Sequence, residues 1–335
     1  MTEQIRHKQL GLTDEDVLEM YRTMNLARKL DERMWLLNRS GKIPFVVSCQ
    51  GQEAAQVGSA FALDKDIDYI APYYRDLGVV LHFGMTARDI MLSGFAKAED
   101  PNSGGRQMPG HFGQKKNRII TGSSPVTTQV PHAVGFALSA KIKKEPFVTF
   151  TSLGDGSTNQ GDFHEALNFA GVHQLPVITL VENNRLAISV PYEKQIASET
   201  IAMRASSYGM PGVVVDGTDP LACYEAMKDA RERAANGEGP TLIEANTVRL
   251  TAHSSDDNEK QYRTAEELKE AKEQDCIIKF EAYILENKVA TEEELQELNK
   301  KINQTVNEAT EYAENAAYPD VNTLHRYVYE EKGGN

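Results

Sequence analysis

Residues 147–191 read FVTFTSLGDGSTNQGDFHEALNFAGVHQLPVITLVENNRLAISVP, and the rest of the chain is organised around them. Residues 147–153 are β-branched and apolar, the composition of a strand buried on both faces. The run stops at Gly154-Asp155-Gly156. Residues 162–173 then place Phe163, Ala166, Leu167 and Ala170 at helical spacing, and Gly171 stands near the end, where a chain leaving a helix favours glycine. Pro176 opens a second apolar run, 177–181, which leads into Glu182-Asn183-Asn184. The whole is a βαβ unit. A right-handed crossover brings the carboxyl ends of two parallel strands to one edge of the sheet. Asp155 and Asn184 stand just past those ends, so they are expected to converge.

A carboxylate and a carboxamide are hard oxygen ligands, the type Mg²⁺ takes when phosphates and water complete its shell. Glycines on either side of Asp155 let the backbone approach a diphosphate, and the helix N-terminus behind them favours an anion. Three motifs compete for this arrangement. A nicotinamide fingerprint needs a third glycine where Asn159 stands, and a phosphate-binding P-loop needs a lysine that is absent here. The thiamine diphosphate motif, Gly-Asp-Gly followed further along by a double Asn, fits in order, spacing and strand context. An ordinary βαβ turn carrying an incidental Asp and Asn is the plain alternative.

The chain has 335 residues, enough for one large or two ordinary domains. A net charge of −13 argues against nucleic acid or an anionic membrane surface as partner. Cys49, Cys223 and Cys276 are far apart and form neither a metal pattern nor a disulfide framework, as in a reducing compartment. Residues 1–12 are polar and no run is long enough to span a membrane, so a cytoplasmic protein is expected.

Residues 13–39 read as a long helix capped by Thr13, with acidic residues in its first turn and an apolar stripe from Val17 to Met34. The stretch 52–63 is rich in alanine and glycine, suited to close helix packing. Residues 68–76 form a short strand and a turn into another helix; Arg75 there is a candidate anion ligand or a surface ion pair. A polar loop spans 104–111. A Gly/Ser turn at 121–126 precedes a helix at 131–144, with Pro131 expected at the first helical position. A strand is expected over 241–250, then a polar loop, 251–257, in which His253 either faces the sheet edge or is solvated. From Thr264 the chain is charged helix, with capping boxes at Thr264/Glu267 and Thr291/Glu294. Residues 321–329 are expected to pack back as a strand or an interface arm. Three regions follow: a helical arm (1–45), an α/β domain with a mostly parallel sheet (46–263) and a C-terminal helical region (264–335) packing on that domain or on a partner.

With these pieces in place, the chain resembles the α subunit of the E1 component of 2-oxo acid dehydrogenase complexes over nearly its full length. GDGSTNQGDFHEALNFAG and VENNRLAISVP are similar to the cofactor motif of that family. YYRDLG, GRQMPGHFG, SSPVTTQVPHAVG and HSSDDNEKQYR are similar to its flanking signatures. GRQMP and HSSDD are nearest to the branched-chain subgroup. The resemblance implies the thiamine diphosphate-binding fold, an α₂β₂ heterotetramer with the E1 β subunit, and cofactor and Mg²⁺ held between subunits. It implies decarboxylation of a small 2-oxo acid and acyl transfer to the lipoyl domain of E2. Pyruvate and acetoin dehydrogenase α subunits are the near alternatives. A non-catalytic structural subunit is the more distant one, as is a self-sufficient thiamine enzyme, which would need a longer chain.

Roles follow from the same resemblance. Asp155, Asn184 and the Leu186 carbonyl would ligate Mg²⁺. Tyr74, Arg75, Gly154, Gly156 and Ser157 would hold the diphosphate end, and Ser124 and Val126 the aminopyrimidine. His253 would stand beside the reacting carbon of the cofactor, placed for proton transfer or phosphate contact. The glutamate that partners the aminopyrimidine would come from the β subunit. Phe45, Val46, Tyr73 and Met108 would set pocket size. Leu186 replaces an aromatic common in relatives. Glu182 stands where branched-chain relatives often carry arginine, and Tyr73 where some carry glutamine.

Overall fold

The computed structural model describes residues 5–326 together with 328 and 329. In chain order its helices and strands are α1 (Arg6–Gln9), α2 (Asp14–Arg39), α3 (Glu53–Phe61), β1 (Tyr69–Ala71), α4 (Leu77–His82), α5 (Ala87–Gly94), α6 (Gln129–Lys143), β2 (Thr149–Gly154), α7 (Gly161–Val172), β3 (Val177–Asn183), β4 (Leu186–Ala187), β5 (Val190–Pro191), β6 (Gly212–Asp216), α8 (Pro220–Ala235), β7 (Thr241–Asn246), α9 (Ala265–Glu273), α10 (Cys276–Glu286) and α11 (Glu292–Asn315). Short 3₁₀ turns fill several connections.

Among the described residues one parallel sheet runs in the order β1-β2-β3-β7-β6. Its centre is buried on both faces, which is why β2 and β3 show no alternating polar face and carry mainly apolar and β-branched residues. Helices α6 and α7 pack together on one side, with Leu153, Phe163, Leu167 and Val181 in their core. Helices α2 to α5 and α8 build a second core around Phe150, Ile178 and Ile243. Helix α11 lies against α2 and α5. Thr13, Thr264 and Thr291 each close a capping box, so the sequence marks these helix starts correctly.

Three expectations are corrected. Helix α6 begins two residues before Pro131, at Gln129, whose Nε2 donates to the Ser152 carbonyl at 2.9 Å. Proline is tolerated there because first-turn N–H groups have no partner within the helix. Strand β7 ends at Asn246, where its neighbours also run out: Asn183 and Asp216 both pair with Asn246. Finally, Val321–Thr323 is a single 3₁₀ turn closed by the Asp320 side chain, and among the described residues no strand forms near the C-terminus. Tyr327 of that stretch lies outside the described residues.

Candidate active site

In the parallel register of β2 and β3, Gly154 lies opposite Glu182. Asp155 therefore starts the turn after β2 beside Asn183 and Asn184 at the end of β3, on one sheet edge. Asp155 is 1% exposed. Burial pushes its carboxyl above the ordinary value, opposed mainly by a hydrogen bond from Gln195 Nε2 at 2.8 Å. Asn184 Oδ1 accepts from the Leu186 N–H at 3.3 Å, which folds the chain into the β4–β5 hairpin. Gly156 is a tight fit under that hairpin: a Cβ there would lie 2.5 Å from Ala187 Cβ.

The donors at this corner match the needs of a divalent cation with a diphosphate. Among the described residues no three His, Cys, Asp or Glu side chains gather in a metal cluster. One carboxylate surrounded by neutral oxygens suits an ion that completes its shell with phosphate and water. Arg249 supplies the second observation. It is 2% exposed, its Nη2 donates to the Ile188 carbonyl and to Tyr262 Oη, both at 2.8 Å, and its Nε and Nη1 have no partner. Burial, and then the charge of Arg75, lower its affinity for its proton. A buried guanidinium with two unused donors calls for an anion. The residues fit the group.

A cavity of about 160 Å³ lies beside this corner. Tyr74, Ser124, Val126, Ser157 and His253 all line it, so five of the expected site residues meet. Gly154, Asp155, Gly156, Asn184, Leu186 and Arg75 lie outside its lining; Ser157 joins the two parts. No aspartate or glutamate lines the cavity. Its volume is below the roughly 300–1,000 Å³ of a complete small-molecule pocket. Phe45 and Tyr73 line it as expected. Val46 instead faces a smaller adjoining cavity, and Met108 is half exposed and lines neither.

Arg75 serves His253 in this structure. Its Nη1 donates to the Ser48 carbonyl at 2.6 Å, and its Nη2 lies 3.0 Å from both Nδ1 and the carbonyl of His253. The His253 N–H donates to Asp257 Oδ2 at 2.8 Å, and Tyr262 Oη donates to the same carboxylate. Burial, with Arg75 and Arg249 nearby, pulls the His253 pKa down to about 4. The imidazole is thus neutral, with Nδ1 accepting and the proton on Nε2.

Glu182 and Tyr73 are partners. Tyr73 Oη lies 3.1 Å from Glu182 Oε2, and Gln56 Nε2 donates to the same oxygen at 3.0 Å. Glu182 also faces Asp76, and burial followed by the Asp76 charge raises it well above the carboxylate range. Its charge is therefore kept from the Asp155 corner.

Four residues escaped sequence reading. Gln195 stands in a stretch with no periodic pattern, and Arg249 falls near the end of the strand expected over 241–250. His111 Nδ1 lies 2.9 Å from the Met108 carbonyl and its Nε2 lies 2.6 Å from Ser124 Oγ. Thr127 lies buried in the left-handed region at φ 80°, anchored by its Oγ1 to the Ser157 carbonyl at 3.0 Å. A β-branched residue there is strained, and nothing in the sequence signals it.

Comparison with known proteins bears on this geometry. The dehydrogenase E1 component family matches residues 21–322. The chain is 64% identical to 2-oxoisovalerate dehydrogenase subunit alpha of Bacillus subtilis (strain 168), over 97% of this chain and 98% of that protein. It is 39% identical to the pyruvate dehydrogenase E1 component subunit alpha of the same organism, over 95% of this chain and 83% of the relative. The corresponding subunit of Staphylococcus aureus (strain MRSA252) is 37% identical over 96% and 84%. The chain belongs to the dehydrogenase E1 component family.

Proposed function

We propose that this chain is the α subunit of a branched-chain 2-oxo acid dehydrogenase E1 component. With an E1 β subunit, in an α₂β₂ assembly, it decarboxylates a small branched 2-oxo acid and passes the acyl group to the lipoyl domain of E2. The observation that carries the reading is the pairing of the buried Asp155 and Asn184 at one sheet edge with a cavity lined by His253, in a chain 64% identical to a 2-oxoisovalerate dehydrogenase α subunit. The lower identity to the pyruvate enzymes favours the branched-chain substrate.

When bound, thiamine diphosphate supplies a nucleophilic carbon and an electron sink. The side chains of this protein hold and orient. Asp155, Asn184 and the Leu186 carbonyl would hold Mg²⁺. Arg249, with the backbone at Gly156 and Ser157, would hold the diphosphate, and Tyr74 would wall the site, with Arg75 behind it holding His253. Ser124 and Val126 would seat the aminopyrimidine. Neutral His253 would present its Nε2 proton to the substrate side. The lining of the cavity lacks a carboxylate for the aminopyrimidine, and the β subunit would provide it.

The test is turnover by the purified chain alone and after assembly with an E1 β subunit. The assay covers 3-methyl-2-oxobutanoate, pyruvate and 2-oxobutanoate. The reading expects turnover by the pair only, fastest with the branched acid. Turnover by the single chain, or a preference for pyruvate, contradicts it.

A further inference from the structure

We propose that Gln195 is part of the metal site. Its side-chain amide positions the Asp155 carboxylate, and its free carbonyl oxygen receives a hydrogen bond from a water carried by the cation. The proposal rests on the reading of Asp155 as a metal ligand.

Gln195 follows the β4–β5 hairpin, after the short turn Tyr192–Lys194. Its Nε2 donates to Asp155 Oδ2 at 2.8 Å and to the Val190 carbonyl at 3.0 Å. Both amide protons are used. One bond fixes the carboxylate. The other fixes the hairpin that begins at Leu186, whose backbone carbonyl is the third expected ligand. A single amide therefore spans two ligand-bearing segments.

Its Oε1 is the second observation. That oxygen is buried and has no hydrogen-bond partner. An ideal Cβ on Gly156 would lie 3.6 Å from it, so it faces the Gly154-Asp155-Gly156 turn. Exchanging the amide oxygen and nitrogen would set an acceptor against two acceptors, so the Asp155 carboxylate and the Val190 carbonyl fix the observed orientation. What the oxygen lacks is a donor. Mg²⁺ keeps several of its waters when protein-bound, and each carries O–H donors. Groups that hydrogen-bond a ligating carboxylate orient it and tune its affinity for metal. Gln195 is a positioning residue in this sense and lies outside the lining of the cavity that holds His253.

The experiment uses the assembled α/β enzyme and titrates MgCl₂ in the presence of thiamine diphosphate by calorimetry. The melting temperature is also measured without metal and cofactor. Gln195→Met keeps the length of the side chain and removes both polar atoms; Gln195→Ser serves the same purpose if the first does not assemble. The expected result is a loss of Mg²⁺ affinity of roughly 10–100-fold, beyond what any fall in the metal-free melting temperature explains. Native Mg²⁺ affinity in the variant overturns the proposal. So does a lowered metal-free melting temperature that accounts for the loss, since that is a purely structural role. Asp155→Ala is the control. If it also binds Mg²⁺ like the native enzyme, the reading of Asp155 has failed; if it alone is impaired, only the role of Gln195 has failed.

Discussion

Arg75 Nη2 lies 3.0 Å from Nδ1 of His253, and the same nitrogen reaches the His253 carbonyl at 3.0 Å. A guanidinium can only donate, so it fixes which imidazole nitrogen carries the proton. Arg75 thus works one step behind the residue that faces the cavity.

His253 is the first target. The folded protein holds it neutral down to about 4, whereas an unperturbed imidazole takes its proton near 6.5. The unfolded chain therefore binds more protons in that interval. Stability from this group is complete above 6.5 and is lost as the pH falls toward 4. Arg75→Met raises the His253 pKa and narrows this window. His253→Ala keeps the fold and lowers acyl transfer to a lipoyl domain by a factor on the order of 10² or more. A pH series of melting temperatures and an acyl-transfer assay check both. Near-native transfer in His253→Ala shows that its position in the cavity is incidental.

The Asp76–Glu182 pair gives the opposite slope. Both carboxyls are fully buried, and burial raises both, Asp76 to about 6. The fold retains a proton that the unfolded chain releases above the ordinary carboxylate values. Stability therefore falls as the pH rises from about 4 through 6. Glu182→Gln removes this demand. Its free energy of unfolding at pH 8 should exceed that of the native protein by an amount on the order of 1 kcal/mol, and the gap should close toward pH 4. Parallel pH profiles for the two proteins exclude a shared proton.

Gly156 tests the cradle. Any Cβ there meets Ala187 Cβ at 2.5 Å, so the β4–β5 hairpin must move away from Asp155. Gly156→Ala should cost about 1–3 kcal/mol of stability and lower thiamine diphosphate affinity by roughly 10-fold or more. Thermal melting and cofactor titration measure the two effects. Native affinity would mean that this turn does not shape the cofactor site.

The legible part of this protein is the part that repeats a pattern. The apolar runs of β2 and β3, the helical spacing of Phe163 to Ala170 and the threonine caps are local signals, and each appears where the sequence places it. The convergence of Asp155 and Asn184 on one edge follows from the right-handed crossover between parallel strands. Contacts between distant segments were not legible. Gln195 meets Asp155 only because the hairpin folds back, and Arg249 enters the corner only because β7 stops at Asn246. Tyr73 and Glu182 each looked like an isolated departure from relatives. In the fold they touch, so the two changes form one packed unit.

The central claim is that this chain supplies the metal and diphosphate side of a shared site. Calorimetric titration of thiamine diphosphate into the assembled enzyme, with and without MgCl₂, tests it most directly when native protein is compared with Asp155→Ala. The account predicts Mg²⁺-dependent binding by the native enzyme and loss of that binding in a correctly folded Asp155→Ala variant. Equal affinity in the two proteins, or native binding that does not depend on Mg²⁺, would contradict it.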